Sequence, residues 1–187
     1  STSLTSDRRS SPSRVGNHPP VIEVVRADIT AQDTDAIVNA ANSSLMGGGG
    51  VDGAIHAAAG PDLLEACRQL HLTRFPDGLP TGAAVATDAG ALTARFVIHT
   101  VGPKHWEHPD GGSALLAACH TNSLHEARRV GATSIAFPAI SCGVYGWLPA
   151  QAAPIALRAV RDFRDTHDGI DLVRFVLFND DAFDAFT

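Results

Sequence analysis

Residues 39–56 read NAANSSLMGGGGVDGAIH. Four consecutive glycines, Gly47 to Gly50, stand between a short apolar run and a single acid, Asp52. Glycine admits φ > 0 and lets a ligand approach the main chain with no Cβ in the way. Just ahead of a helix, such a loop leaves several N–H groups free to face an anion, and the helix dipole adds roughly half a positive charge there. A phosphate, or better a pyrophosphate, is the natural guest, because four glycines in a plain surface loop lose conformational entropy without return. Gly48, Gly50 and Gly53 also spell G-x-G-x-x-G, the dinucleotide fingerprint. Five residues, Asn42 to Met46, separate it from the preceding apolar run, and no strand ends in a ribose-binding acid downstream. A dehydrogenase is therefore poorly supported, and a P-loop less so, since no Gly-Lys-Ser/Thr follows. On spacing alone Asp52 stays evenly open between capping a helix and orienting a water or sugar hydroxyl.

Outward from this block, strand-like and helix-like patterns alternate. VIEVVRA (21–27), DAIVNA (35–40), GAAVAT (82–87), RFVIHTVG (95–102), SIAFPAI (134–140) and LVRFVLF (172–178) read as strands. Charges within VIEVVRA suit an edge strand. Helices are expected over 51–60, from Pro61 to Leu70, from Ser113 to Arg129, over 150–165 with Pro154 in the first turn, and over 180–186. Gly60-Pro61 and Gly131 are stop signals. The pattern predicts an α/β layered fold with helices on both faces of a mostly parallel sheet, whose ligands bind beyond the strands' carboxyl ends. Three such ends carry unusual chemistry: ADIT (27–30), the glycine block, and SCGVYG (141–146).

The 187 residues make one domain, and the Ser-, Arg- and Pro-rich residues 1–20 read as a disordered tail before a fold spanning 21–187. A formal net charge of -6 gives no general attraction for nucleic acid or acidic membranes. Lys104 is the one lysine, so a phosphate-bearing ligand has to be held largely by backbone N–H groups. Three widely spaced cysteines fit neither a disulfide framework nor a zinc site, and suit a reducing cytosol. No apolar run is long enough to cross a membrane.

In order and spacing, ADIT, DAIVNAANSSLMGGGGVDGAIHAAAG, RFVIHTVGP and FPAISCGVYGWL resemble the signature blocks of macrodomains, and most closely the MacroD-type ADP-ribosyl hydrolases. The resemblance implies a three-layer α/β/α sandwich with a central mixed sheet and ADP-ribose bound in a cleft at its top. Asp28 would accept from the adenine amino group, with a backbone contact from Ile29. Asn42 would hold the distal ribose, and Asn39 would be a further contact or a buttress of the loop. Gly48, Gly49, Gly50 and Val51 would line the pyrophosphate and distal ribose. Ser141, Cys142, Gly143, Val144 and Tyr145 would close the other side. The implied reaction is hydrolysis of the ester linking ADP-ribose to a protein Asp or Glu, with O-acetyl-ADP-ribose as a related substrate and Asp52 handling the attacking water. The alternatives are a non-catalytic ADP-ribose reader and a hydrolase of ADP-ribosylated nucleic-acid ends. No cofactor or metal is implied; the expected partners are ADP-ribose and mono-ADP-ribosylated proteins, and the expected state a cytoplasmic monomer.

Three positions depart from the family pattern: Ala27 for the usual glycine, Cys142 where threonine is commoner, and Ala57 for arginine. Cys142 reads as a buried inert thiol in preference to a redox-sensitive one. Among other candidates, His105, Glu107 and His108 lack the further ligands of a metal site. His99 reads as a hydrogen-bonded core histidine, and HEARR (125–129) as a solvated helix face.

Overall fold

The computed structural model describes residues 20–187, so the tail expected over 1–20 lies, Pro20 apart, outside the described residues. Its strands are β1 (Val21–Arg26), β2 (Ala36–Ala40), β3 (Ala84–Asp88), β4 (Phe96–Thr100), β5 (Ser134–Phe137) and β6 (Leu172–Leu177). They form one sheet of order β1-β6-β5-β2-β4-β3, parallel throughout except where β3 runs against β4. The charged β1 lies at an edge, as its composition suggests.

The pleat turns successive side chains to opposite faces. Ala36, Val38, Ile98, Ile135, Phe137 and Phe175 pack beneath α3 (Gly112–Arg129), α4 (Pro149–Thr166) and α5 (Asp180–Phe186). Ile37, Val97, Ala136 and Val176 face the other way, onto α1 (Gly50–Ala59) and α2 (Pro61–Thr73). The result is the α/β/α sandwich, with Asn39, Thr87 and His99 on the α1–α2 side by the same alternation. Gly60, at φ 81°, ends α1, and Pro61 opens α2.

Two expectations need correction. α4 starts at Pro149, whose fixed φ suits a first position, and the Gln151 side chain accepts from Leu148 N at 3.2 Å. Pro154 therefore lies in the second turn, not the first. HEARR is not merely solvated: Glu126 accepts from the Ala86 N–H on β3 at 3.0 Å and pairs with Arg129, so α3 covers the otherwise open edge of β3.

On the other face of α3, His120 is fully buried against Phe137, ring centroids 5.0 Å apart, and its Nδ1 lies 2.8 Å from Leu116 O. Burial pushes its pKa down from 6.5 to about 4. The unfolded chain binds that proton more readily, so the stability is present above about pH 6.5 and lost as the pH falls toward 4. In urea unfolding, His120→Leu is expected to lose about 2 kcal/mol less than wild type between roughly pH 7.5 and pH 5.

Candidate active site

Five parallel strands bring their carboxyl ends to one edge of the sheet, the place where open α/β sheets bind ligands. After β1, exposed Asp28 caps a single 3-10 turn, its Oδ1 accepting from the Thr30 N–H at 2.9 Å and hydroxyl at 2.7 Å. Ile29 beside it is buried. The two residues expected at an adenine are thus held by local bonds.

After β2, Asn42 ties the glycine loop to itself: Nδ2 donates to Gly47 O at 2.8 Å, and Oδ1 accepts from the Ser44 hydroxyl at 2.6 Å. A Cβ on Gly53 would land on the Gly48 carbonyl, so α1 lets the loop fold back on it only where it has no side chain. Gly48, Gly49 and Gly50 are exposed at the helix start. The amides from Gly48 to Val51 have no acceptor among the described residues. Free amides ahead of a helix are what an anion cradle needs.

Asp52, in the first turn of α1, points inward and is only 5% exposed. Its Oδ1 accepts from Asn39 Nδ2 at 2.8 Å, and His56 Nε2 lies 3.4 Å from the same oxygen. Its Oδ2 faces the glycine loop: a Cβ placed on Gly48 would sit 3.2 Å from it and 3.3 Å from Asn42 Nδ2. Burial pushes the carboxyl above its ordinary 3.8, against the pull of the Asn39 bond and His56. Between the two readings left open by spacing, the side chain is turned to the sheet instead of the helix start. Asn39 is 0% exposed and stands behind Asp52, which is the buttress of the two places open to it. His99 is the core histidine expected; its Nδ1 lies 3.2 Å from Asn39 Nδ2 and its Nε2 3.0 Å from the Thr87 hydroxyl.

After β5, Ser141 takes a left-handed conformation, φ 66°, and is buried. A Cβ on Gly102 would collide with its hydroxyl, so β4 and β5 ends meet closely. The amides of Gly143, Val144 and Tyr145 have no acceptor among the described residues. The segment after β4 clamps this loop: His105 N donates to Tyr145 O at 2.8 Å, Trp147 Nε1 to Pro103 O at 3.2 Å, and the Trp106 ring lies against Gly146. Cys142 is half-buried, and burial pushes its thiol up to about 11, which makes it inert.

Phe178, directly after β6, is 75% exposed beside the Asp28 turn, where Ala27 N donates to Leu177 O. The sequence pattern merges it with the buried strand LVRFVLF. The signal that separates it is Asn179, which caps α5 and ends the strand before it. Among the described residues no group of three His, Cys, Asp or Glu is placed for a metal ion, and no helix is long and apolar enough to cross a membrane. A depression of about 500 Å³ lies at the opposite end of the sheet, lined by His125, Arg128, Arg129 and Thr133. Its arginines already pair with Asp168 and Glu126, and it faces the C-terminal end of α3, so it makes a poor anion site.

Comparison with known proteins agrees with this geometry. The sequence model of the Macro domain family matches residues 38–156. A Macro domain-containing protein of Streptomyces griseus is 56% identical over 167 residues, covering 89% of this chain and 93% of the relative. The O-acetyl-ADP-ribose deacetylase of Escherichia fergusonii is 52% identical over 160 residues, covering 86% of this chain and 89% of the relative. The Oceanobacillus iheyensis macrodomain solved with ADP superposes with a TM-score of 0.87 at 44% identity, covering 91% of this chain and 90% of that one. The Trypanosoma brucei macrodomain in complex with ADP-ribose gives 0.80 at 38% identity, covering 88% of this chain and 67% of that one. This chain belongs to the Macro domain family.

Proposed function

We propose that this protein binds ADP-ribose across the strand ends and hydrolyses its esters: the acetyl ester of O-acetyl-ADP-ribose, and the ester joining mono-ADP-ribose to a protein Asp or Glu. The observation that carries the reading is Asp52, a buried carboxylate with one oxygen held by Asn39 and the other turned to the glycine loop. Relatives named O-acetyl-ADP-ribose deacetylase and neighbours solved with ADP or ADP-ribose support the choice of ligand.

In this reading Asp28 accepts from the adenine amino group, Ile29 adds a backbone contact, and Phe178 stacks on the ring, as an exposed aromatic face suits a base. The pyrophosphate lies between the free amides of Gly48 to Val51 and those of Gly143, Val144 and Tyr145, with Ser141 and Cys142 at the start of the second loop. These amides supply the positive potential that a chain with one lysine lacks. Asn42 and Tyr145 hold the distal ribose. Asp52 Oδ2 orients a water and takes its proton as the ester bond breaks, and ADP-ribose leaves with acetate or with the freed carboxylate of the modified protein. Burial serves this role, since a base works best with a pKa nearer the operating pH.

Glutamate-linked mono-ADP-ribosylated protein and O-acetyl-ADP-ribose test the reading, with serine- and arginine-linked protein and ADP-ribosylated nucleic-acid ends run beside them. Asp52→Ala is expected to slow release on the order of 100-fold or more, with ADP-ribose still bound in calorimetry. Tight binding by wild type with no release from either ester leaves a reader in place of a hydrolase. The rate should fall as Asp52 is protonated, with the acid limb of kcat above the ordinary aspartate value of 3.8. Phe178→Ala is expected to weaken ADP-ribose binding about 10-fold or more while kcat holds.

A further inference from the structure

We propose that His99 is a positioning residue: its Nδ1 takes the second proton of the Asn39 amide and so helps hold the donor end of that amide on Asp52. The proposal rests on the reading of Asp52 as the carboxylate that handles water.

The sheet sets up the contact. β2 and β4 run parallel with Asn39 directly opposite His99, and β3 returns on the far side of β4 with Thr87 two residues beyond the partner of His99. The pleat turns all three side chains toward α1 and α2. Asn39 Nδ2 carries two protons, and its two neighbours use both: Asp52 Oδ1 at 2.8 Å and His99 Nδ1 at 3.2 Å. His99 therefore accepts at Nδ1. Burial holds its pKa down to about 3, so the ring is neutral and has one N–H, which must sit on Nε2. That proton has its acceptor in the Thr87 hydroxyl at 3.0 Å, with Cys67 Sγ 3.6 Å from the same nitrogen.

Asn39 Oδ1 is buried with no partner among the described residues. An unsatisfied buried carbonyl is costly, so the amide forgoes an acceptor bond to keep both donors engaged. Turned over, it would press Oδ1 against the Asp52 carboxylate and against the His99 lone pair, and both contacts are repulsive. The other tautomer of His99, with its proton on Nδ1, would favour that turned amide and remove the donor from Asp52. The Thr87 hydroxyl, on the far side of the ring, can accept from Nε2–H or donate to a bare Nε2, so it suits either tautomer, and the choice is made on the Asn39 and Asp52 side. The titratable groups facing Asp52 are His56 on α1, Cys67 on α2 and His99 on β4. Burial keeps Cys67 a thiol, its pKa pushed up to about 12.

His99→Leu, which removes the Nδ1 acceptor, is the test, and Thr87→Val, which keeps shape, lies outside the cleft and leaves Nδ1 in place, is the second variant. Three readouts are taken on the whole chain: the ¹⁵N shifts of His99, the ¹³C titration of the Asp52 carboxyl, and the acid limb of kcat. In wild type, His99 should show the Nε2–H tautomer. In His99→Leu the Asp52 titration and the acid limb should move up by about 1 pH unit, because the bond that favours the carboxylate is loosened, and in Thr87→Val both should stay in place. ADP-ribose affinity at neutral pH should stay within about 2-fold, since the cleft surface is untouched. An Nδ1–H tautomer in wild type, or an Asp52 titration that stays in place in His99→Leu, overturns the proposal. If wild type releases nothing from either ester and the Asp52 titration still moves, the hydrolase reading fails and the positioning role of His99 stands.

Discussion

A carboxylate taken out of water has to be met by donors, and Asp52 finds its donor in the Asn39 amide 2.8 Å away. That bond joins the first turn of α1 to the middle of the sheet. It settles how α1 sits, and α1 in turn carries the glycine loop at its start. Gly53 allows the loop to fold back on the helix, and Asn42 closes it from within. The free oxygen of Asp52 then faces the same loop that presents the unpaired amides. Removing the Asn39 bond would leave the buried Asp52 with only His56 Nε2, 3.4 Å away, beside it.

Free backbone amides are how a chain of net charge -6 with a single lysine would hold a diphosphate. Two loops leave neighbouring parallel strands and start with their N–H groups unspent on secondary structure. Both contain a non-glycine residue in a left-handed conformation, Leu45 at φ 64° and Ser141 at φ 66°. Such strain persists only where the surroundings overdetermine it. Here Asn42 does so for the first loop, and the clamp of Pro103, His105 and Trp106 does so for the second.

Much of this was legible in the residues. Strand and helix positions followed from period and from Gly and Pro signals, and the edge position of β1 from its charges. Local signals misled where a neighbour in space decided the outcome. Pro154 looks like a helix start until Pro149 and Gln151 are seen to open α4 earlier. Glu126 looks like a solvated charge, and covers the edge of β3 instead. Phe178 hides in a buried run because its exposure depends on where the sheet stops, and Asn39 stays open between contact and buttress because its burial depends on α1 lying over it.

By itself, the sequence determined the layered α/β order, the family, the glycine loop ahead of α1 and the identity of the acid beside it, because these rest on local propensity and on contiguous motifs. The tertiary structure alone decided which way Asp52 points, what holds it and what lies behind. Asn39, Thr87 and His99 come from three different strands, and only pairing and pleat bring them into one row. Hydrogen bonds between side chains distant in sequence depend on register, and no local pattern encodes register across β2, β4 and β3.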